Sequence, residues 1–554
     1  RAGTAGVPGA VRRSNSARGV SIRAQHHGLT LEGRDTGVEA NGVVAHIGAM
    51  YRLAIVGSVL LIAVVACADG PLFRMHRATG LPHRTSTFGG TLADLDGDGR
   101  RDLIMSLHGD EDAAFYRNHG DLTFSALELA SRPTGLRDHH GTAACDDDGD
   151  GIWDLFLTAG ADRGRGGSCK QLWRHDGHLG FTSPGGCEHL LVDPDGRGRG
   201  ALWLQLSPAE LPSLLLLNFW SPPRLFGREE GRWVDRTGWL RTLPAGVAPE
   251  VGDSWIVGVT ADLDGDLAPD LVSMGVGWGV WRNVEGRLEL ATETGVPANG
   301  PQVADAAAGD VDGDGDHDLV LVLQGGQVHV LLNESSPGTI RFTGPVVANQ
   351  PLSIHEPVSC ALADLDNDGH LDLAVARRSS DSIAKPVLMR GTGDGTFLPV
   401  SSPRAGLAGV ASRAMAIWAE DLDLDGDLDL VAINGEELEK HQEGAVVIYE
   451  NLTTLRGLTL ELVPVADGPP HALGAEVALE AGDVRQVRQV RSVANPWNST
   501  VAPVHFGVGD ELGPLTVTVT WPSGRRQTQV VPFSGIDYRL TEGRDELVPL
   551  PLRP

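Results

Sequence analysis

The stretch ADLDGDGRRDL, residues 93–103, sets aspartates in the order Asp-x-Asp-x-Asp-x-x-x-Asp. The same order recurs in CDDDGDGIWDL (145–155), ADLDGDLAPDL (261–271), GDVDGDGDHDL (309–319), ADLDNDGHLDL (363–373) and EDLDLDGDLDL (420–430). A degraded copy, VDPDGRGRGAL (192–202), fills the widest gap. The first aspartates of these seven copies are spaced by 52, 47, 69, 48, 54 and 57 residues. A period of about fifty residues predicts a repeat architecture in which each copy belongs to one structural unit.

The sequence around each copy predicts strands. A small-residue segment such as GGTLA (89–93) precedes the aspartates, and an apolar run such as LIMSL (103–107) or LVLVL (319–323) follows them. A hairpin pattern such as FYRNHGDLTF (115–124) comes later. Short apolar runs bounded by turn residues indicate buried strands. One repeat is therefore a four-stranded blade, and seven repeats predict an all-β, seven-bladed β-propeller.

The aspartate loops are predicted to bind Ca²⁺, a hard cation that takes six to eight oxygen ligands. We number the loop positions one to nine, beginning at the first aspartate. Carboxylates at positions one, three, five and nine are the predicted ligands: Asp94, Asp96, Asp98 and Asp102; Asp146, Asp148, Asp150 and Asp154; Asp262, Asp264, Asp266 and Asp270; Asp310, Asp312, Asp314 and Asp318; Asp364, Asp366, Asp368 and Asp372; Asp421, Asp423, Asp425 and Asp429. The residues at position seven would add their carbonyls: Arg100, Ile152, Ala268, Asp316, His370 and Asp427. We expect about six Ca²⁺ sites, and none at the degraded copy, where Arg197 and Ala201 stand at positions five and nine.

Two other interpretations of the loops are less consistent with the sequence. EF-hand loops need a glutamate at the twelfth position, where the first loop has Met105 in a strand-like run. An acidic loop without a cation would hold four carboxylates within nine residues, and these would repel one another strongly.

The first 66 residues are not expected to belong to the fold. Residues 1–49 are rich in Gly, Arg and Ser, and we interpret them as a disordered or non-native upstream extension. Residues 50–66 contain the apolar run LAIVGSVLLIAVVA and resemble a lipoprotein-type signal peptide, with Cys67 as the lipidated residue. An ordinary secretory signal or a membrane anchor are the alternatives. The chain is therefore expected to be exported, to a bacterial cell envelope or as a secreted protein, with membrane contact only through the lipid on Cys67.

The net charge limits the classes of partner that the chain can bind, and the cysteines allow a disulfide. The formal net charge is −28, and nucleic acid is excluded as a partner because phosphate binding needs a basic surface. An unknown protein or glycan ligand is expected, and the chain is predicted to be a monomer. In an oxidising compartment Cys169 and Cys187 form a possible disulfide, and buried free thiols are the alternative.

The repeats resemble the FG-GAP/VCBS repeats of the integrin α-chain head propeller, over roughly residues 72–452. The resemblance implies that each loop joins the first two strands of a blade and that the loops share one face of the disc. Three short C-terminal motifs resemble the ASPIC/UnbV module: Gly474-Ala475, His505–Gly509 and Trp521–Gly524. This combination resembles the cartilage acidic protein family and its bacterial members. The sequence SVANPWNST (492–500) departs from the family pattern.

The predicted domains are a propeller over 67–454, a small β-sandwich-like ASPIC/UnbV domain over 455–545 that caps the seventh blade, and a C-terminal tail over 546–554. No GxSxG, HExxH or P-loop motif occurs, so we expect no enzyme. The leading expectation is a cell-surface binding, adhesion or scaffold protein whose blades are stabilised by Ca²⁺. The alternative is an enzyme or accessory protein of a biosynthetic pathway, with a site on the propeller axis.

Overall fold

The computed structural model describes residues 70–550 apart from 77–78, 83–86, 108–111, 134–138, 161–170, 184–190, 192–196, 220–222, 242–254, 276–277, 348–353, 379–384, 410–412, 436–445, 466–467, 469, 483, 496–497, 502–503, 511–513 and 533. The upstream extension, the signal segment with Cys67, and Cys169 and Cys187 with their predicted disulfide all lie outside the described residues. Cys145 and Cys360 are buried free thiols.

The first 28 strands follow the repeats. They are β1 (Phe73–His76), β2 (Thr87–Ala93), β3 (Asp102–Leu107), β4 (Ala114–Asn118), β5 (Phe124–Ala126), β6 (His139–Cys145), β7 (Asp154–Ala159), β8 (Gln171–His175), β9 (Phe181–Thr182), β10 (Arg197–Leu204), β11 (Ser213–Phe219), β12 (Arg224–Glu229), β13 (Arg232–Asp235), β14 (Trp255–Ala261), β15 (Asp270–Gly275), β16 (Trp278–Val284), β17 (Arg287–Leu290), β18 (Val303–Gly309), β19 (Asp318–Leu323), β20 (Val328–Asn333), β21 (Phe342–Val347), β22 (Pro357–Ala363), β23 (Asp372–Arg377), β24 (Val387–Gly391), β25 (Phe397–Pro399), β26 (Arg413–Glu420), β27 (Asp429–Gly435) and β28 (Val446–Asn451). One helical turn, α1 (Ser402–Ala405), and a 3₁₀ turn (Thr237–Arg241) lie between them.

Within the described ranges these strands form seven antiparallel units of four. Units one to six are β2–β5, β6–β9, β10–β13, β14–β17, β18–β21 and β22–β25, and the seventh contains β26–β28. Each first strand contacts the first strands of the units before and after it, and β26 contacts β2. Every residue of β3, β7 and β19 is buried, as expected of strands covered on both faces. The predicted all-β propeller is confirmed.

The seventh unit is completed by the beginning of the chain. Strand β1 pairs antiparallel with β28, and Phe73 lies opposite Asn451. The backbone N–H of Leu452 donates to the carbonyl of Leu72 at 2.7 Å, which extends the pairing past the strand. The first and last segments of the propeller therefore close the ring together.

The third unit differs from the prediction. The second half of the degraded copy lies in β10, whose residues 201–204 are almost fully buried, so Arg197 and Ala201 belong to a strand and not to a loop. The connection to β11 is QLSPAELP (205–212), and Ser213 lies opposite Leu204 just as Asp102 lies opposite Ala93. Gln205, Ser207 and Ser213 therefore occupy positions one, three and nine. Asp193 and Asp195 fall outside the described residues.

The C-terminal domain is a two-sheet sandwich. Its strands are β29 (Arg456–Val463), β30 (Glu476–Ala481), β31 (Val484–Gln489), β32 (Ser492–Asn495), β33 (Asn498–Val501), β34 (Val504–Gly509), β35 (Leu515–Thr520), β36 (Arg526–Val531), β37 (Tyr538–Thr541) and β38 (Leu547–Pro549), with a 3₁₀ turn at Pro470–Ala472. The sheets are β34-β29-β37-β38 and β31-β30-β35-β36, and Phe506 and Trp521 are buried between them. Residues 547–549 pair with β37, so this part of the predicted tail is an edge strand.

A hairpin of β32 and β33 leaves the sandwich and lies along the first strands of the propeller. Ala494 pairs with Gly258 of β14, Asn498 with Gly90 of β2, and Ser499 with Ala143 of β6. Because the first strands form the inner ring, the hairpin inserts at the inner edge of the blades. The domain therefore contacts several blades, while the seventh unit takes its fourth strand from β1, and the sequence that departs from the family pattern forms the inserted hairpin.

Candidate metal centres

The folded chain brings together the aspartates at positions one, three and nine. Ligand atoms within 4.8 Å of one another are found in five triads: Asp94, Asp96 and Asp102; Asp146, Asp148 and Asp154; Asp262, Asp264 and Asp270; Asp310, Asp312 and Asp318; Asp364, Asp366 and Asp372. In the loop of the seventh unit, Asp421, Asp423 and Asp429 are likewise buried.

Backbone amides hold the first aspartate of each loop. Asp94 Oδ1 accepts hydrogen bonds from the N–H groups of Gly97 at 2.8 Å and Asp98 at 3.1 Å, and its Oδ2 accepts one from Gly99 at 2.9 Å. Gly97 and Gly99 have positive φ angles of 75° and 85°, which glycine adopts without strain. The loop therefore wraps around its first carboxylate.

The ninth aspartate joins the loop to the third strand of its own unit. Asp102 accepts hydrogen bonds from the N–H groups of Leu95 at 3.1 Å and Asn118 at 2.9 Å. The same pairing with an asparagine N–H recurs at Asp270, Asp318 and Asp429. This carboxylate is fixed by the blade itself.

The asparagines at these strand ends were missed by the sequence reasoning. Their side-chain amides donate to the carbonyl of position two in the loop of the preceding unit: Asn118 to Leu422 at 2.9 Å, Asn283 to Leu206 at 2.8 Å, Asn333 to Leu263 at 2.9 Å and Asn451 to Leu365 at 2.8 Å. We call them the clamp asparagines. The available signal was the recurrence of asparagine at the end of FYRN, VWRN, VLLN and IYEN.

The aspartates at position five are not part of the five triads. Asp98, Asp150, Asp266, Asp314 and Asp368 each accept a hydrogen bond from the N–H at position seven, at 2.9–3.1 Å. Asp98 and Asp266 also pair with arginines, Arg100 at 2.6 Å and Arg282 at 3.2 Å. These carboxylates stabilise the turn, and the ligand roles of position five and of the position-seven carbonyls stay predictions.

The buried carboxyl groups of the triads have too little positive charge around them to offset desolvation and mutual repulsion. Desolvation, aided by repulsion from neighbouring aspartates, raises the pKa of Asp102 and Asp318 to about 7 and that of Asp154 and Asp270 to about 8. A cation bound among the carboxylates would oppose both effects.

The surroundings of Asp264 and Asp366 show whether these carboxylates suit a metal ion. Arginine Nε atoms hold their Oδ2 atoms, Arg282 at 2.6 Å and Arg390 at 2.9 Å. The Oδ1 atom of each is buried and has no hydrogen-bond partner among the described residues. A buried carboxylate oxygen is stable only when it is hydrogen-bonded or coordinates a cation. Several of these aspartate triads can therefore hold metal ions, and their all-oxygen donors fit a hard cation.

Among the described residues of the third unit, the loop at Gln205 has no aspartate triad. Gln205, at position one, donates from Nε2 to the carbonyls of Ser207 at 2.6 Å and Glu210 at 2.7 Å. A neutral amide thus closes this loop, so it needs no cation.

The C-terminal domain lies against the loops. His471 Nε2 accepts a hydrogen bond from the N–H of Asp146 at 3.1 Å, and Gln489 Oε1 accepts one from Asp262 at 3.0 Å. The N–H of Gly507 donates to Asp364 Oδ2 at 3.0 Å. A cavity of about 650 Å³ between the two domains is lined by residues of the loops at Asp94, Asp146 and Asp421. The loop face of the propeller is therefore the docking face of this domain.

Comparison with known proteins identifies both parts. The family described as FG-GAP-like repeat matches residues 94–157, 262–321, 310–375 and 364–432, and the family described as ASPIC and UnbV matches 466–546. The unmatched stretch 158–261 contains the third unit with its neutral loop.

Similar proteins include cartilage acidic protein 1 of Xenopus tropicalis, 24% identical over 497 residues that cover 80% of this chain and 71% of that protein. The protein of the same name from Mus musculus is 27% identical over 251 residues, 44% of this chain and 37% of that protein. Among solved structures, BBS1N in complex with ARL6DN matches with a TM-score of 0.43 and 13% identity, covering 70% of this chain and 98% of the other. The Cps50 (Swd1) β-propeller domain of Myceliophteria thermophila matches with a TM-score of 0.42 and 13% identity, covering 69% and 99%. The chain thus combines matches to FG-GAP-like repeats and to an ASPIC and UnbV domain, and it is distantly similar to cartilage acidic protein 1.

Proposed function

We propose that the protein is an extracytoplasmic, calcium-binding β-propeller that acts as a binding, adhesion or scaffold protein at the cell surface. The observation that carries the proposal is the recurrence of one aspartate triad, with its ninth-position member buried, at the same place in the blades. Ca²⁺ fits these sites because it takes several carboxylate oxygens at once. Six ions would occupy the six loops, with Asp98 and the other position-five residues as supporting or additional ligands.

Binding is favoured over catalysis. The hairpin of β32 and β33 lies against the inner strands, where an active site on the propeller axis would be placed. The buried acids of the loops already have a role as cation ligands. An enzyme or accessory protein of a biosynthetic pathway is therefore the second candidate.

An extracytoplasmic location is supported by the domain combination shared with the cartilage acidic proteins and by the signal-like segment 50–66. Outside the cell Ca²⁺ is abundant enough to saturate moderately tight sites. Across the described ranges, no helix has both the length and the apolar character of a membrane span.

Calcium removal is the experiment that tests this function. We expect a chelator to lower the melting temperature by many degrees, because a ligand at one hundred times its Kd adds about 2.7 kcal/mol per site. Chelator already saturated with Ca²⁺ is the control. Identical melting curves in both solutions would refute the calcium proposal, and a calorimetric count of one or two ions would refute six sites.

Binding to a partner is tested with the full exported chain as bait against an extract of the cell envelope, with and without Ca²⁺. We expect a protein or glycan to be retained only when Ca²⁺ is present. Turnover of a small molecule by the purified chain would instead favour the second candidate.

A further inference from the structure

The loop of the seventh unit has different surroundings from the others. In the first, second, fourth and sixth units an arginine of the third strand pairs with loop carboxylates: Arg117, Arg174, Arg282 and Arg390. At the matching place beside its clamp asparagine, the seventh unit has Glu450. This loop therefore lacks the arginine that four other loops have, and the Glu450 that replaces it is paired with Arg74 of β1.

A further carboxylate reaches this loop from the C-terminal domain. Asp537, which directly precedes β37, is 3% exposed and lines the same cavity as Asp421, which is 6% exposed. The N–H of Thr459 in β29 holds Asp537 Oδ1 at 3.3 Å. Within the described part of the chain, neither Asp421 nor Asp537 forms an ion pair with a basic side chain. Two buried carboxyl groups thus line one cavity without a neutralising basic side chain among the described residues.

An unsatisfied oxygen lies in the same loop. Asp427, at position seven, is 7% exposed, and its Oδ1 is buried without a hydrogen-bond partner among the described residues. This oxygen belongs to a side chain that the nine-residue pattern does not require. The loop therefore offers more carboxylate oxygens than its own positions one, three and nine supply.

The seventh loop also lies where the ring closes. Asn118 of the first unit donates to the carbonyl of Leu422, and Arg101 pairs with the buried Glu420 at 3.3 Å. Strand β1 completes the same unit. A ligand held here contacts the last blade, which is joined to both the first blade and the C-terminal domain.

We propose that Asp537 is a ligand, supplied by the C-terminal domain, of the cation in the seventh loop, so that this one site fastens the C-terminal domain to the closing blade. The inference rests on the proposed calcium function and assigns one residue outside the repeats to it. Removal of the cation leaves Asp421 and Asp537 in repulsion, so docking of β29 and β37 on the seventh loop depends on Ca²⁺ there.

The test compares Asp537→Asn with wild-type protein by native mass spectrometry across free Ca²⁺ concentrations, together with hydrogen exchange of 456–463 and 538–541. We expect one ion to be lost at low Ca²⁺, with its affinity reduced on the order of tenfold to a hundredfold. We also expect faster exchange in both segments when Ca²⁺ is limiting and wild-type exchange when it is saturating, which shows that the variant folds.

Two matched variants serve as controls. Asp510→Asn removes an exposed carboxylate of the same domain and is expected to keep every ion and the wild-type exchange pattern. Asp264→Asn alters position three of the fourth unit and is expected to weaken one ion without changing exchange at 456–463.

The outcomes separate the two proposals. If wild-type protein binds no Ca²⁺, the proposed function fails. If wild-type protein binds Ca²⁺ but Asp537→Asn leaves ion number, affinity and exchange unchanged, only the interdomain ligand is refuted.

Discussion

The clamp asparagines make the metal loops part of the contact between blades. Each one uses its N–H to hold the ninth aspartate of its own loop and its side-chain amide to hold the preceding loop. Both groups are buried, so neither can exchange its partner for water. A change in one loop is therefore transmitted to its neighbour through a single residue.

Asn333→Ala should destabilise the protein by about 1–3 kcal/mol, because the carbonyls of Leu263 and His317 lose their donor inside the protein. Urea denaturation in saturating Ca²⁺ measures the change. Asn299→Ala, at an exposed asparagine, is the control and should have little effect. Equal midpoints for the two variants would show that the clamp contributes nothing.

The spacing of carboxylates predicted which aspartates would meet at positions one, three and nine. It did not predict that the N–H at position seven would donate to the position-five carboxylate, as Arg100 does to Asp98, because that bond depends on the geometry of the folded turn. The clamp asparagines were not predicted either, since their role appears only when two blades are adjacent. Asp537 lies 116 residues beyond Asp421 in the sequence and in another domain, so no local pattern connects them.

At the level of elements, β1 closes the ring although it lies outside the repeats. Phe73 is 1% exposed and packs in the cluster that also contains Tyr449. Leu72 adds backbone hydrogen bonds to Arg404 at 2.8 Å and Leu452 at 2.7 Å. The strand contributes through burial and pairing more than through its exposed ion pair of Arg74 with Glu450.

Deletion of residues 70–76 should lower the free energy of unfolding by more than about 2 kcal/mol, the value for burial of one phenylalanine side chain. Arg74→Ala, whose side chain is 62% exposed, should change it by no more than about 1 kcal/mol. Urea titration of both variants measures the difference. A truncated chain as stable as the full chain would contradict closure by β1.

The strands also show how much of the fold could be predicted from the repeat pattern. Apolar runs next to aspartates located the second strands of six units correctly. The third unit was misplaced because VDPDG imitates a loop, while the true loop at Gln205 contains no aspartate. Gln205 lies 59 residues after Asp146 and 57 before Asp262, closer to the period than Asp193. Regular spacing was the better guide there than residue identity.

On the scale of the whole molecule, the loops concentrate acidic groups between two domains. The ninth aspartates are buried, and the pKa of Asp102 is raised from its ordinary value of 3.8 to about 7 by desolvation first. The metal-free protein therefore binds protons on folding. Ca²⁺ competes with these protons because its ligands must be ionised.

The stabilisation that Ca²⁺ gives should increase with pH, whereas the stability of the metal-free protein should decrease. Without metal, the contribution of the ninth aspartates is complete below about pH 4 and is lost as the pH rises through 7 to 8, since their folded-state pKa is raised. The increase in melting temperature produced by a fixed Ca²⁺ concentration should therefore be larger at pH 8 than at pH 6. Scans with chelator and with Ca²⁺ at both pH values measure it, and an equal or smaller increase at pH 8 would contradict the assignment.

Closure of the ring by β1 and β28 also constrains biosynthesis. Arg74 and its partner Glu450 are 376 residues apart, so the first strand to leave the ribosome has no partner until the last blade has been made. The inner strands meanwhile lack the hairpin at 492–501, which is synthesised later still. Nascent chains therefore expose unpaired strand edges for most of translation, and such edges promote aggregation. The nascent chain must therefore stay unfolded, or shielded, until nearly all of it is available.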